Sequence, residues 1–309
     1  MPVKQWDFPI NHANDADFRA WGSDLSASLA QVGLVQTADT GQINWTTVLR
    51  PAINTYAGYE IWRFSDSSLF MKWEYGTGGN ATNIAIRVQV GTGSNGSGTL
   101  TGATSSATII GGIAAAGIPN GSSRRSFLSR TSNNAFFGFV GYAAVANPDA
   151  NPTSVAGSLA LFCVSRTVDA NTNPTTLGYT VYGKSTNVAN QLTQCQGVDI
   201  PNNVSTTLTT DKAFCYVPFT ITSSLIGGLP QFFTHWVPLS TSVPRVVPQF
   251  GICTVVVSEI ASGVTFSANP IGAALRTFIA LPACNASGAV NDPSTGSTTP
   301  IYRLAMIWE

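Results

Sequence analysis

The stretch Asp15-Ala16-Asp17-Phe18-Arg19-Ala20-Trp21-Gly22-Ser23-Asp24-Leu25-Ser26-Ala27-Ser28-Leu29-Ala30-Gln31-Val32-Gly33 decides the first part of the fold. Phe18, Trp21, Leu25, Leu29 and Val32 recur at helical spacing, so one side of a helix is apolar. Asn14 or Asp15 is placed to cap it, and Asp17 brings negative charge to the positive end of the helix dipole. Gly33 follows the last apolar position, where left-handed backbone commonly ends a helix. Further along, Ile84, Ile86, Val88 and Val90 alternate with Asn83, Ala85, Arg87 and Gln89, the two-residue period of a strand with one buried face. Trp45 to Leu49, Tyr59 to Phe64 and Leu69 to Tyr75 are aromatic-rich strand candidates separated by Asn, Gly, Asp and Ser turn signals. With Asn83 to Val90 they predict a small antiparallel sheet covered by the helix. The expectation is an N-terminal α+β module over residues 1–102, serving attachment or oligomerisation.

Residues 103–309 read differently. Thr99 to Asn120 is rich in small residues and has neither a clean period nor strong breakers. Beyond it, strands are predicted at Phe136 to Val145, Leu159 to Val168, Tyr179 to Tyr182, Phe232 to Pro238, Ile252 to Ser258, Thr277 to Leu281 and Ile301 to Trp308. Asn-Pro, Asp-Pro, Gly-Gly and Ser/Thr clusters fill the intervals, which predicts a mainly β fold with a sandwich or barrel-like second region. No fixed repeat or heptad run supports a coiled-coil stalk.

Composition narrows the function. Lys+Arg 15 balances Asp+Glu 15, so no electrostatic footprint favours nucleic acid or an anionic membrane. Charged residues are only 10% of the chain, against about 25% in ordinary soluble proteins. Ser, Thr, Asn and Gly replace them, giving a polar surface with little charge to desolvate at an interface. A homo-oligomer is therefore expected. No apolar run is long enough for a membrane span, and Met1 to Asp7 lacks the layout of a signal peptide, so synthesis in a cytoplasm is expected. The five cysteines, Cys163, Cys195, Cys215, Cys253 and Cys284, form no C-x-x-C pair and have no nearby His. Reduced thiols are the expectation, with Cys195 and Cys215 able to bridge if they meet. Cys163 and Cys253 read as small core residues.

Several motifs suggest chemistry, and each has a plainer structural reading. Gly91-x-Gly93-x-x-Gly96 matches a dinucleotide-binding pattern after a strand, but Ser97-Gly98-Thr99-Leu100 is a poor helix start; a hairpin or surface loop fits better. Asp169-Ala170-Asn171-Thr172-Asn173 begins like a calcium loop, yet Pro174 stands where Gly is needed and Thr180 where the bidentate Glu belongs. Glu60 and Glu74, on adjacent strands, could pair like glycosidase carboxylates; ion pairing of Glu60 with Arg63, Lys72 or Arg87 is the simpler expectation. Trp45, Trp62, Trp73 and Tyr75 could stack on a sugar, but their strand positions favour core or subunit packing. Arg124, Arg125 and Arg130 are too few for a phosphate surface and read as a loop meeting an acidic neighbour. His12 has no visible catalytic neighbourhood, and His235 reads as a strand residue. Asp15 and Asp17 read as helix-start charges. No catalytic residue, metal or cofactor is expected.

In order along the first third come Phe18-Arg19-Ala20-Trp21-Gly22, Gly33-Leu34-Val35-Gln36-Thr37, Gly58-Tyr59-Glu60-Ile61-Trp62-Arg63-Phe64 and Gly91-Thr92-Gly93. This string resembles an N-terminal segment of virion structural proteins of tailed bacteriophages, particularly tail- and fibre-associated ones. The resemblance implies a non-enzymatic component of the tail, baseplate, fibre or collar, made in a bacterial cytoplasm and located in the virion. Its implied partners are further copies of itself and other virion proteins. The alternative expectation is a receptor- or carbohydrate-binding module, its partner a host surface glycan. Finally, Trp6, Phe8 and Ile10 read as an apolar arm preceding any regular element, placed to lie against another subunit or to fold back near Trp21.

Overall fold

The computed structural model describes residues 3–9, 14–53, 55–65, 69–77, 84–103, 107–110, 123–132, 135–143, 160–168, 174–184, 194–199, 204–208, 231–232, 235–238, 244–247, 252–256, 260–261, 263–268, 275–280 and 302–309. The N-terminal elements are β1 (Val3–Pro9), α1 (Asp15–Gln31), β2 (Val35–Gln36), β3 (Thr55–Arg63), β4 (Phe70–Thr77), β5 (Ile84–Gly91), β6 (Gly93–Ser94), β7 (Leu100–Thr101) and β8 (Ala107–Ile110). Then follow β9 (Ser123–Ser132), β10 (Ala135–Ala143), β11 (Ala160–Val168), β12 (Pro174–Lys184), β13 (Gln194–Asp199) and β14 (Val204–Leu208). The last are β15 (Gln231–Phe232), β16 (His235–Pro238), β17 (Pro244–Val247), β18 (Ile252–Val256), β19 (Thr265–Ala268), β20 (Arg276–Ala280) and β21 (Tyr302–Ile307). The described chain is mainly β, in antiparallel sheets, with α1 as its helix.

Helix α1 forms where its period predicts it, and its ends are chemically closed. Asn14 is the cap: its side-chain oxygen accepts from Asp17 N at 2.9 Å, while its amide donates to Asp17 Oδ2 at 2.8 Å. At the other end Gly33 takes φ 85°. Its N–H donates to Ala30 O at 2.9 Å and that of Leu34 to Leu29 O at 3.2 Å, the two bonds of a Schellman stop. Leu29 and Leu34 are both buried, which adds the apolar contact that accompanies this motif.

The buried side of α1 lies on the sheet β2-β3-β4-β5-β8. Phe18, Trp21, Leu25 and Leu29 share one core with Trp62, Met71, Trp73, Tyr75, Ile86, Val88 and Val90. Alternation along β4 and β5 sends these residues inward and Lys72, Glu74 and Arg87 to the other face. The same core includes Leu128 of β9 and Val164 of β11. Those strands belong to a seven-stranded sheet, order β1-β9-β10-β11-β12-β13-β14. A further five-stranded sheet runs β15-β18-β21-β20-β19, with Phe278, Ile279, Ala305 and Met306 buried. Arg276 Nε donates to Glu309 Oε1 at 2.5 Å and ties the chain end to β20. Among the described residues no sheet closes into a barrel.

Three expectations change. Trp45 to Leu49 is not a strand: Asn44 accepts from Thr46 N through Oδ1 and from Val48 N through its carbonyl, winding one turn. Trp45 and Val48, three apart, then reach the core together. The first residues do not precede regular structure, because Val3–Pro9 is a strand paired antiparallel with β9. The alternation of Trp6 and Phe8 with Gln5, Asp7 and Pro9 carried that period, but the partner strand is remote in sequence. Arg124, Arg125 and Arg130 lie on β9 and not in a loop, with Asp7 opposite Arg125 in the register. Among the described residues, strand pairing crosses the 102/103 division through β1 with β9 and β5 with β8.

Candidate functional site

The densest polar arrangement in the described chain surrounds Glu60 on β3. Its inward direction follows from the pleat: Tyr59 and Ile61 face one side, Glu60 and Trp62 the other. Glu60 is 1% exposed. Its Oε1 accepts from Ser26 Oγ of α1 at 2.8 Å and from Trp45 Nε1 at 2.9 Å. Its Oε2 accepts from Trp62 Nε1 at 3.1 Å and Tyr75 OH at 2.5 Å. One carboxylate thus joins the helix, the Asn44 turn and two strands. Burial first, and the Glu60 charge second, hold the Tyr75 phenol well above its usual range.

Aromatic packing completes this centre. Trp45 meets Tyr75 edge-on with ring centroids 4.9 Å apart and meets Phe18 at 5.7 Å. The approach requires Gly22 in α1, since a Cβ there would stand 2.0 Å from carbons of the Trp45 ring. The turn is also fixed from outside: Arg19 Nη1 donates to Val48 O at 3.1 Å, and Arg50 N to Asp15 Oδ1 at 2.8 Å. Trp62, Trp73 and Tyr75 are buried, so core packing is their role in this chain.

Glu60 and Glu74 do not converge. Glu74 stands opposite Tyr59 in the register and Glu60 opposite Trp73, so the two carboxylates lie on opposite faces of the sheet. Glu74 receives Arg87 Nε at 2.6 Å and has Lys72 Nζ at 3.8 Å. The bond to Glu74 is the main cause raising the Arg87 pKa. Arg87 also covers Tyr56 at 4.2 Å, and Lys72 covers Tyr59 at 4.6 Å. The ion pair expected of Glu60 is thus replaced by neutral donors, because Glu60 faces the core, and Arg87 and Lys72 pair instead with Glu74 on the outer face.

Gly91 to Gly98 opens no helix. Strands β6 and β7 form a hairpin, with Asn95 N donating to Thr99 O at 3.0 Å. Asp39 fastens it to the segment after β2. Its carboxylate accepts from Thr37 Oγ1 at 2.6 Å, from Gly98 N at 3.1 Å, and from Ser94 Oγ. Burial raises the Asp39 pKa, but the bonds from Ser94, Thr37 and the Gly98 amide, with the Gly96 amide nearby, outweigh it and leave the carboxyl below its usual value. Tyr59 OH donates to Thr40 O at 2.6 Å beside this clamp, and burial followed by the Asp39 charge raises the Tyr59 pKa.

Other predicted residues fall apart from these centres. Asp15 and Asp17 sit in the first turn of α1, and His235 lies on β16 opposite Val247. Cys163, Cys195 and Cys253 lie on β11, β13 and β18. His12, Asp169 to Asn173, Cys215, Cys284 and Ile10 lie outside the described residues, as do the side chains of Trp6 and Phe8. Among the described residues no group of acidic, His or Cys side chains is arranged to hold a metal, and no helix is long and apolar enough to cross a membrane. Sequence reasoning missed Asp39, whose only local signal was Thr37-Ala38-Asp39, because its partners Ser94 and Gly98 are far along the chain. No family model, curated protein or solved structure matches the chain.

Proposed function

We propose that the chain is a non-enzymatic structural component of a tailed-bacteriophage virion, in the tail, baseplate, fibre or collar region, assembling as a homo-oligomer. The observation that carries this reading is the commitment of Glu60 to architecture: both its oxygens are filled by donors from the helix, the turn and the sheet. The resemblance of the first third to virion proteins and the 10% charged composition support the same reading. In it, residues 1–102 attach or oligomerise the protein, and residues 103–309 form a sandwich-like body displayed outward. Association rests on apolar burial and on main-chain pairing where edge strands meet. The mass of the purified protein and the protein content of purified particles test it. An oligomer that is also found in particles is expected; a stable monomer at high concentration, absent from particles, overturns the proposal.

A second reading, recognition of a host surface glycan, draws on the outer face of the β3-β4-β5 sheet. There Tyr56 and Tyr59 lie among Lys72, Glu74 and Arg87, pairing aromatic rings with charged donors and acceptors. Binding of the assembled protein to cells or envelope polysaccharide, reduced by Tyr56→Ala, is its expected signature. Absence of any binding rejects it.

A further inference from the structure

The tip of the β6–β7 hairpin carries Asn95-Gly96, a pair able to close a five-membered imide: the Gly96 nitrogen attacks the side-chain carbonyl carbon of Asn95. The chain holds a second such pair, Asn120-Gly121, which lies outside the described residues. In solution the attack is slow because the amide nitrogen is a poor nucleophile and the developing oxyanion lacks stabilisation. Around Asn95 the hairpin addresses both difficulties.

Asn95 Oδ1 accepts from Ser97 N at 2.9 Å and from Thr99 N at 3.1 Å. Two fixed backbone amides therefore point at the oxygen that becomes negative when the carbonyl carbon turns tetrahedral, at distances typical of an oxyanion hole. The attacking residue is held at both ends. Gly96 N donates to Ser94 Oγ at 3.3 Å, and Gly96 O accepts from Thr40 N at 2.9 Å. Ser94 Oγ in turn donates to the Asp39 carboxylate, so the Gly96 proton faces the lone pair of a hydroxyl whose own proton is held by Asp39. Asn95 and Gly96 are exposed, and nothing lies within 4 Å of the place a Gly96 Cβ would occupy. Water can reach the product.

We propose that Asn95 is a self-modification site at which the hairpin promotes imide formation and deamidation. The Gly96 N to Asn95 Cγ bond forms and the Cγ to Nδ2 bond breaks. The proton leaving Gly96 N passes by way of Ser94 to the departing nitrogen, so ammonia leaves and the imide remains; one water then adds across an imide C–N bond, restoring an N–H and giving the carboxyl group. Hydrolysis of the ring gives aspartate or isoaspartate. The tip thereby gains a negative charge beside Asp39, and in the isoaspartate product the main chain gains a methylene between β6 and β7. In a long-lived assembly this would mark age at an exposed turn.

Peptide mapping by mass spectrometry of the full chain, incubated near neutral pH, measures the amide-to-acid exchange at Asn95. The same measurement on a synthetic peptide of residues 91–101 supplies the unstructured rate. Conversion in the folded chain is expected to be roughly tenfold or more faster than in the peptide, since two placed donors act on the oxyanion. Equal or slower conversion in the folded chain overturns the proposal, because the hairpin would then be neutral or protective. Ser94→Ala, checked for an unchanged thermal transition, is expected to slow Asn95 several-fold and leave Asn120 unaffected. An unchanged rate at Asn95 removes the Ser94 relay, and if the variant is unfolded the comparison with the peptide still decides the matter.

Discussion

Glu60 concentrates the energetics of the N-terminal region in one side chain. A buried carboxylate is costly unless its oxygens are filled, and here Ser26, Trp45, Trp62 and Tyr75 fill them. Glu60→Ala strands the buried Trp62 and Tyr75 donors away from water and frees the half-buried Ser26 and Trp45, and the expected loss is about 3–5 kcal/mol, read from chemical denaturation. A loss below about 1 kcal/mol would mean that the donors find other partners. Tyr75 gives the same centre a pH dependence. Its pKa is raised in the folded state, so the folded protein holds the phenol proton more tightly than the unfolded chain does. This contribution is complete below the unfolded phenol value of about 10 and is lost as pH rises above it. The melting temperature is therefore expected to fall on the alkaline side, and less steeply in Tyr75→Phe. Parallel alkaline profiles for the two proteins would remove Tyr75 as the cause.

At the scale of elements, β1 is where sequence and structure part most instructively. Residues Trp6, Phe8 and Ile10 were readable as apolar, but their period could not announce a partner as distant as β9. Deleting residues 1–10 uncovers one edge of β9, and a lower melting temperature is expected because the whole register from Val3 to Pro9 is lost. If the mass of the proposed oligomer is retained, the segment serves its own chain; if the mass falls as well, Trp6, Phe8 or Ile10 also holds a neighbour. Helix α1 was legible down to Gly33 because caps and spacing are local signals. Strands β3, β4 and β5 were legible because alternation marks them, with boundaries shifted by a few residues. The turn at Asn44 was misread because aromatic and β-branched residues favour strands, while the Asn44 bonds and the core contacts of Trp45 and Val48 overrode that preference. The Asp39 clamp was not legible at all, since a carboxylate's partners across a fold leave no spacing in the sequence.

For the whole molecule, the proposed homo-oligomer raises the question of what would drive copies together. Equal numbers of acidic and basic residues and a 10% charged fraction leave few ion pairs to place across an interface. Among the described residues, Glu74 is engaged within the chain by Arg87 and Lys72, and Arg276 by Glu309. Exposed apolar side chains are present on the N-terminal region at Val35, Leu49 and Ile53, and farther along at Val264 and Leu275. Burying each such side chain fully would contribute about 1.5–3 kcal/mol before ordering costs. An assembly built this way is governed by apolar area and main-chain pairing, not by screened Coulomb attraction. Sedimentation at low and high salt distinguishes these cases. The oligomer is expected to persist, or to tighten, as ionic strength rises past the point where exposed charges are screened. Dissociation on adding salt would show that sparse charges, and not apolar contact, hold the copies together.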